Sequence, residues 1–197
     1  MKIIDHKLFT ADGKQVKYHQ TPNKSSGQNK LLYIVQHYTA GSSLEGAEKT
    51  LTDKNRKASA HFIIGRDGKI VQLGLCNEIL WHVGTSLYKG ELSTNKFSIG
   101  IENVNWGLLT KKNNKYYSYT GTEIPEEEIY KDSKGHYFHT YTHAQLETNF
   151  ELCKALCKEY KTIKEIIGHS DCAMPRGRKV DPSEAFDMSE CRKFAGL

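Results

Sequence analysis

A continuous apolar run that starts at Leu31 and ends at Gln36 constrains the fold of this chain more than any other segment. Its side chains do not alternate between apolar and polar, so a strand formed here would present apolar groups on both faces. Such a run, with β-branched residues in it, is typical of a central strand buried on both sides. The sequence therefore predicts a core strand that ends at His37.

Helical and strand patterns alternate along the rest of the chain. In chain order they predict a helix capped by Ser43 and running to about Lys57, a hairpin over residues 60–73 around Asp67-Gly68, a strand over residues 97–104, a helix after Thr142 with Gln145 in capping-box position, and a short strand over residues 164–168. Strands that alternate with helices indicate helices layered on a sheet. We therefore expect an α/β fold, a single domain whose mixed central β-sheet is flanked by helices.

The chain length of 197 residues suits one domain with a sizeable core, and we predict a single domain over residues 1–197. Two segments of this domain are polar. Residues 1–30 are polar and lysine-rich, and we expect them to form an arm packed on that domain. Residues 105–141 are polar and aromatic without strong periodicity, which is long for a connection in a compact domain. We interpret them as a polar insert, either functional or a surface excursion.

The charge and hydropathy of the chain exclude some function classes. The net charge is +5, but the lysines are scattered and an acidic run, Glu126 to Glu128, interrupts them. Nucleic-acid binders more often concentrate basic residues in one stripe, so no nucleic-acid partner is predicted. No apolar run approaches the roughly 20 residues of a membrane span, so no membrane insertion is predicted. The first residues do not resemble a secretory signal, and we expect a cytoplasmic location, with signal-independent export or release by lysis as alternatives.

The five cysteines are predicted to be free thiols, because their number is odd and no secretory signal precedes them. Cys153 and Cys157 lie four residues apart on one face of a predicted helix. That spacing is compatible with half of a metal site or with two small core residues, and we favour the core.

Two of the nine histidines stand out because each follows an apolar strand. His37 follows the central run, and His169 follows the short strand near the C-terminus. Asp181 lies twelve residues after His169, and Lys179 shares a face with it in an extended chain. Two imidazoles and a carboxylate with an open fourth position form a common catalytic zinc set. By spacing alone, ordinary structural histidines are the alternative.

Five blocks of sequence follow one another between about residues 31 and 182. They are Tyr33-Ile34-Val35-Gln36-His37-Tyr38-Thr39-Ala40-Gly41; Ser59-Ala60-His61-Phe62 with Arg66-Asp67-Gly68; Trp81-His82-Val83-Gly84; Ser98-Ile99-Gly100-Ile101-Glu102; and Gly168-His169-Ser170-Asp171 with Pro175-Arg176-Gly177-Arg178-Lys179-Val180-Asp181-Pro182. In this order they resemble the zinc-dependent N-acetylmuramoyl-L-alanine amidases of the type-2 amidase family, relatives of the peptidoglycan recognition proteins. The resemblance implies Zn²⁺ as cofactor, peptidoglycan or a muropeptide as partner, and hydrolysis of the amide bond between N-acetylmuramic acid and L-alanine.

The same resemblance assigns a role to each site residue. It implies that His37, His169 and Asp181 are the zinc ligands. It implies that Glu102 is the catalytic carboxylate, which would take a proton from the attacking water and pass it to the leaving amine. Lys179 would stabilise the oxyanion beside the metal. The plain alternatives are that Glu102 pairs with a lysine and that Lys179 is solvated.

Three further residues, Tyr38, Trp81 and His82, are predicted to contact the substrate. For His82 two other roles are compatible with its position: it could orient a metal ligand from behind, or it could be a structural histidine bonded to a backbone carbonyl. Within this resemblance, the stretch over residues 172–178 looks two residues longer than in the commonest relatives, and we expect the difference to affect the loop and not the ligands.

A recognition module that binds peptidoglycan without cleaving it is the second candidate function. Such modules lack the third zinc ligand, and Asp181 is present here, so the sequence favours the enzyme. An amidase of this type could serve cell-wall recycling, or act as an endolysin or an antibacterial effector, and composition does not separate these purposes.

Overall fold

The run predicted as the central strand lies inside a six-stranded sheet. In the computed structural model, which describes residues 1–197, it forms β5, with a parallel strand on each side. The strands are β1 Lys2–Ile4, β2 Lys7–Phe9, β3 Lys17–Tyr18, β4 Lys24–Ser25, β5 Tyr33–Tyr38, β6 Phe62–Ile64, β7 Ile70–Gln72, β8 Ile79–Leu80, β9 Leu87–Tyr88, β10 Glu91–Leu92, β11 Ser98–Asn103, β12 Leu108–Lys112, β13 Lys115–Tyr117, β14 Glu123–Ile124, β15 Ile129–Lys131, β16 Tyr137–His139 and β17 Glu165–Gly168. The helices are α1 Leu44–Thr52, α2 His143–Glu159, α3 His169–Cys172 and α4 Met188–Ala195, with 3₁₀ turns at Thr94–Lys96 and Glu126–Glu128.

The large sheet has the strand order β17-β5-β11-β6-β7-β3. Its neighbouring strands are parallel except for β6 and β7, which form the predicted antiparallel hairpin. Helices α2 and α4 cover one face, where Leu152 and Leu156 pack with Ile34 in the main core. On the other face, Leu51 of α1 packs with Ile63. The predicted α/β fold with a mixed sheet flanked by helices is confirmed.

Helix α1 is shorter than the sequence predicts. Ser43 caps it as expected, but the helix ends at Thr52 and not near Lys57. The carboxylate of Asp53 accepts the backbone N–H of Asn55 at 2.9 Å. This local bond offers the backbone an alternative to the next helical hydrogen bond, an effect that the spacing of apolar residues does not reveal.

Helix α2 begins at the predicted cap, but the capping box is incomplete. The Thr142 hydroxyl accepts the backbone N–H of Gln145 at 3.2 Å. The amide group of Gln145 does not return to the cap; it donates to the carbonyls of Ile64 and Val104, each at 3.0 Å. The buried glutamine therefore ties the start of α2 to two strands of the sheet.

The polar insert forms a second, antiparallel sheet of order β14-β13-β12-β16-β15, which the sequence did not predict. Its strands are two to five residues long, too short for alternation to be recognised. They share a small core of Leu109, Tyr116 and Ile124. Asn113 and Asn114, both with positive φ, form the first turn, and this pair was the sequence signal for a hairpin.

Residues 1–30 are attached to the domain through strand pairing. Strand β3 extends the large sheet beside β7, and β4 pairs with β8. Lys17 and His19 also bind the carboxylate of Glu48 on α1, at 2.6 and 2.9 Å. No helix of the structure combines the length and the apolar character needed to cross a membrane.

Candidate metal centre and active-site cleft

The predicted ligands meet because neighbouring parallel strands end at one edge of the sheet. His37 on β5 lies in register with Glu102 on β11. On the other side of β5, Gly168 lies opposite Gln36, and His169 follows directly after β17. Three side chains that are far apart in sequence therefore share one rim of the sheet.

Three ligand atoms converge at this rim. The Nδ1 atoms of His37 and His169 are 3.0 Å apart, and Oδ2 of Asp181 lies 3.1 Å from the first and 3.0 Å from the second. All three side chains are buried. In tetrahedral zinc sites, metal–ligand bonds of about 2.0–2.1 Å hold neighbouring ligand atoms roughly 3.3 Å apart. The triangle therefore has the size of one face of such a coordination shell.

The proton of His169 points away from this triangle. Its Nε2 lies 3.1 Å from the backbone oxygen of Val83, and a carbonyl oxygen can only accept a hydrogen bond. Nε2 therefore carries the proton, and Nδ1 presents a free lone pair to the other two ligand atoms.

A chain of hydrogen bonds fixes the proton of His37 in the same way. Ser98 Oγ donates to the carbonyl of Thr94 at 2.7 Å, so it accepts the Nε2–H of His82 at 3.2 Å. Nδ1 of His82 is then without a proton and accepts from Nε2 of His37 at 3.0 Å. The Nδ1 of His37 is consequently a free lone pair as well.

Three acceptor atoms thus face one another with no proton between them. Two bare nitrogens and a carboxylate oxygen about 3 Å apart repel each other unless a cation lies among them. Burial, and then the neighbouring His169, lower the pKa of His37 to about 4, so its imidazole is neutral at pH 7, as a metal ligand must be. The cluster therefore fits a metal ion.

Asp181 is held by close contact between its loop and the junction of β17 and α3. The backbone N–H of Ser170 donates to the carbonyl of Asp181 at 3.0 Å. A Cβ atom on Gly168 would lie 2.8 Å from Cδ of Pro182, a distance that real Cβ contacts do not reach. Glycine at this position therefore allows the carboxylate to approach His169.

Arg178 holds the loop over residues 172–178 in place through hydrogen bonds. Its guanidinium donates to the carbonyls of Met174, Val83 and Thr85 at 2.9, 3.0 and 3.0 Å. The carbonyl of Val83 is the one that also accepts from His169. The loop is therefore linked through Val83 to the imidazole of His169, one of the proposed ligands.

Glu102 lies beside the ligand triangle without a partner. Its Oε2 is buried and forms no hydrogen bond, and the residue lines a cavity of about 340 Å³ together with His37 and Lys179. Burial, and next the charge of Asp181, raise the pKa of Glu102 to about 8, while Lys179 opposes this. A carboxylate with a perturbed pKa in a cleft is a typical proton-transfer group.

The predicted substrate contacts occupy two different places. Tyr38 and Trp81 are half-buried and line the same cavity, and Trp81 Nε1 donates to Ser25 Oγ at 2.8 Å. His82 also borders the cavity but is 7% exposed and lies behind His37, where a Cβ on Gly100 would be 2.5 Å from its ring. This placement favours the role of orienting a ligand.

An adjoining cavity of about 430 Å³ has a lining that the sequence did not single out. Arg56, Trp106 and Tyr119 line it, and Glu102 borders both cavities. Tyr119 lies in the polar and aromatic insert over residues 105–141, and the aromatic content of that segment was the available sequence signal that it could line a cavity. For Arg56 the sequence carries no such signal, since its position depends on how α1 ends.

Comparison with known proteins identifies related chains. Residues 27–184 match the family model described as N-acetylmuramoyl-L-alanine amidase. The 1,6-anhydro-N-acetylmuramyl-L-alanine amidase AmpD of Escherichia coli K12 is 34% identical over 137 residues, which are 69% of this chain and 57% of the relative. The chain spans about half the length of the curated relatives it matches.

Two solved structures are similar in fold. A crystal structure of a selenomethionine AmpD derivative gives a TM-score of 0.69 at 24% identity, covering 98% of this chain and 99% of that one. The E. coli amidase AmiD, in complex with anhydro-N-acetylmuramic acid-L-Ala-D-gamma-Glu-L-Lys, gives a TM-score of 0.65 at 25% identity, covering 97% of this chain and 66% of that one.

Proposed function

The chain belongs to the N-acetylmuramoyl-L-alanine amidase family, and on that premise we propose that it hydrolyses the amide bond between N-acetylmuramic acid and L-alanine in peptidoglycan or muropeptides. The observation that carries the proposal is the meeting of three proton-free ligand atoms with a carboxylate that has no partner. A structural cluster would pair these groups with donors. In a hydrolytic centre the ligand atoms stay free to bind a metal ion, and the carboxylate stays free to transfer a proton.

The metal centre of the proposed enzyme consists of His37, His169 and Asp181, with Zn²⁺ as the ion. Two imidazoles and one carboxylate match the ligand sets of catalytic zinc. When bound, zinc supplies a Lewis acid for the amide carbonyl and brings the pKa of a water molecule from 15.7 to about 7.

Glu102 and Lys179 supply the protein's own chemistry in this proposal. Glu102 takes the proton of the attacking water and gives it to the nitrogen of L-alanine as the C–N bond breaks. Its position in the floor of the cleft and its free Oε2 support this role. The ammonium group of Lys179, on the same cavity, stabilises the negative charge that forms on the carbonyl oxygen. Tyr38 and Trp81 form walls that hold the substrate.

Mass spectrometry of a muropeptide digest tests the activity. We expect the zinc-loaded protein to release free stem peptide, and Glu102→Gln to release it about 10²- to 10⁴-fold more slowly while still binding zinc. Release at the normal rate by Glu102→Gln would require another acid–base group. Tight binding of the muropeptide by the wild type without any product would support the recognition module instead.

The form of the substrate is proposed to be a soluble muropeptide, since the name of the AmpD relative specifies a 1,6-anhydro-muramyl substrate. A soluble fragment goes with the cytoplasmic location predicted from the sequence. Digestion of insoluble sacculi and of soluble anhydro-muropeptides at equal bond concentration separates the possibilities. Faster release from sacculi would favour an endolysin or an effector.

A further inference from the structure

Three buried amide side chains form a cluster on the face of the large sheet that α2 covers. Gln36 lies on β5, Asn103 on β11 and Asn149 on α2, and all three are fully buried. Side chains alternate between the two faces of a strand, so Gln36 projects behind His37 and Asn103 projects behind Glu102, two residues that lie in register. This amide cluster therefore stands directly behind the proposed ligand and the proposed base.

The hydrogen bonds of the amide cluster are complete. Gln36 Nε2 donates to Asn149 Oδ1 at 2.9 Å and to Cys153 Sγ at 3.3 Å. Asn149 Nδ2 donates to Gln36 Oε1 at 2.8 Å and to Asn103 Oδ1 at 3.0 Å. Asn103 Nδ2 donates to Gln36 Oε1 at 3.2 Å and to the backbone carbonyl of His37 at 3.0 Å. Every amide N–H thus has an acceptor, and a shift of one segment would leave a buried group unpaired.

Asn103 joins the amide cluster to the strand that carries His37. Its side chain donates to the carbonyl of His37, and its own carbonyl accepts the backbone N–H of Thr39 at 3.0 Å. Because Glu102 directly precedes Asn103, the same two bonds hold the carboxylate of Glu102 against the end of β5. The separation between Glu102 and His37 is therefore fixed from behind the sheet.

Apolar residues would fill the same space at a lower cost in free energy. Ile34 on β5 and Ile101 on β11 face the main core two residues earlier in each strand, and the pattern changes to an amide only beside the site. The burial of an amide costs free energy that its hydrogen bonds do little more than offset. Apolar side chains tolerate more than one packing arrangement, whereas a complete set of hydrogen bonds specifies one. The amides therefore sacrifice stability for a fixed position of the strand ends.

We propose that the amide cluster is a positioning device for the reaction, which fixes Glu102 relative to His37 by holding the ends of β11 and β5 together. The inference rests on the proposed function, in which Glu102 transfers a proton beside the metal ion. A displacement of about 1 Å between reacting groups can lower a rate by about 10²-fold. The three amides line neither cavity of the cleft, so they act on the rate of the chemical step and not on the binding of the substrate.

Two variants separate positioning from stability. Asn103→Leu leaves the other two amides without a partner, so the free energy of unfolding is expected to fall. The triple variant Gln36→Leu/Asn103→Leu/Asn149→Leu replaces the whole cluster by apolar groups of similar shape, which is expected to recover most of that loss. In both variants we expect kcat for release of stem peptide to fall about 10- to 100-fold, with KM within about threefold of the wild type. A rate loss that persists when the stability returns belongs to positioning.

The matched control is Gln72→Leu. Gln72 is equally buried and donates to the carbonyls of His6 and Gly74 at 2.9 and 2.8 Å, on a strand that carries none of the site residues. Its substitution is expected to lower the free energy of unfolding, as Asn103→Leu does, because it also leaves buried groups unpaired. The kcat of this variant is expected to stay at the wild-type value.

Hydrogen exchange of the metal-free protein tests the positioning without metal or substrate. The backbone N–H of Thr39 donates to Asn103 at one end of the β5–β11 pair, and that of Tyr33 donates to Phe97 at the other end, each at 3.0 Å. In the triple variant we expect exchange to be about 2- to 10-fold faster at Thr39, the loss of one net hydrogen bond, and unchanged at Tyr33. A general loss of stability would accelerate exchange at both ends.

Two outcomes overturn the positioning role. One is an unchanged kcat in the folded triple variant, and the other is an equal change of exchange at Thr39 and Tyr33. Absence of stem-peptide release by the wild type would instead refute the proposed function. In that case the exchange comparison alone decides whether the amide cluster holds the strand ends.

Discussion

The proposed metal centre depends on which nitrogen carries the proton in each of three histidines, His37, His82 and His169. Each Nδ1 of the ligand pair is free because the opposite nitrogen is engaged, by Val83 for His169 and by His82 for His37. The loop of residues 81–84 thus sets both tautomers. A hydrogen-bond acceptor behind a ligating imidazole raises the basicity of that imidazole and fixes the orientation of its ring.

Removing the acceptor behind His37 is expected to weaken zinc binding. For His82→Leu we predict a 10- to 100-fold rise in the zinc dissociation constant, the usual effect of losing such a partner. His82→Gln, whose amide oxygen can accept from His37, is expected to recover part of the loss. Competition against a chromophoric chelator measures the zinc dissociation constants of both variants.

The control for that experiment is His61→Gln. His61 is equally buried and cross-links Gly100 to Glu78 at 3.0 Å on each side, but it does not bond to a ligand. Zinc affinity is expected to be unchanged in this variant. Equal affinities in all three folded variants would show that the chain through His82 does not orient His37.

The Glu102 carboxyl group is expected to titrate at an unusual pH. Burial and Asp181 raise its pKa to about 8 in the metal-free protein, so the neutral form prevails at pH 7 and the carboxylate forms only as the pH rises past that value. Bound zinc adds positive charge nearby and lowers the pKa, which makes the base available. Carbon-detected NMR titration measures the pKa of Glu102 in the metal-free and in the zinc-loaded protein. A pKa near the ordinary 4.3 in the metal-free protein would show that burial and Asp181 do not raise it.

The sequence could predict which side chains meet at this rim of the sheet because strand ends are visible in an apolar pattern; their roles as ligands and base stay predictions. His37, His169 and Glu102 each sit at or next to the end of such a run. The bonds made by His82 and Arg178 were not predictable, because they join segments that only the tertiary fold brings together.

Gly107 allows the insert to pack closely against the end of β5. Gly107 has φ of +70°, and a Cβ there would lie 2.2 Å from the ring of Tyr38 at the end of β5. The close approach places the insert against the rim of the active site. A side chain at this position would both strain the backbone and displace the ring of Tyr38.

Gly107→Ala is therefore expected to destabilise the protein by about 2–4 kcal/mol, the sum of left-handed strain and a core clash. Gly121→Ala is the matched control, since Gly121 has φ of +86° and open space around its Cβ position. It is expected to cost only the backbone strain of about 1–2 kcal/mol. Urea denaturation measures both, and equal losses would show that Tyr38 does not anchor the insert.

Elements with long patterns were predictable and short ones were not. The central strand, the hairpin over residues 60–73 and helix α2 follow from runs that extend over several residues. The insert strands pair through few residues each and gain their order from a small shared core. The end of α1 is decided by the single side chain of Asp53.

At the scale of the whole molecule, one sheet organises both halves of the proposed function. His37, Glu102 and His169, the proposed ligands and base, lie at the carboxyl ends of β5, β11 and β17, and Trp106 and Tyr119 of the insert line the adjoining cavity. Because the proposed ligands come from two strand ends and a distant loop, metal binding would link separate parts of the folded chain. Zinc is expected to stabilise the protein by about 2.7 kcal/mol at a free concentration of 100 times its dissociation constant.

The loss of that stabilisation identifies the ligands independently of activity. Asp181→Ala is expected to show the same melting temperature with and without zinc, whereas the wild type melts higher with it. Calorimetric scans with and without the metal provide the comparison. A zinc-dependent rise in Asp181→Ala equal to that of the wild type would remove Asp181 from the ligand set.

The proposed function requires this cluster to bind one zinc ion and to use it in cleaving the muramyl–alanine amide bond. A titration of zinc into metal-free protein, with release of stem peptide as the signal, tests both requirements at once. We expect no release at the start, a linear increase with added zinc, and a break at one zinc per chain. Full release from protein that is held metal-free by a chelator, or no release at any zinc level from folded protein, would contradict it.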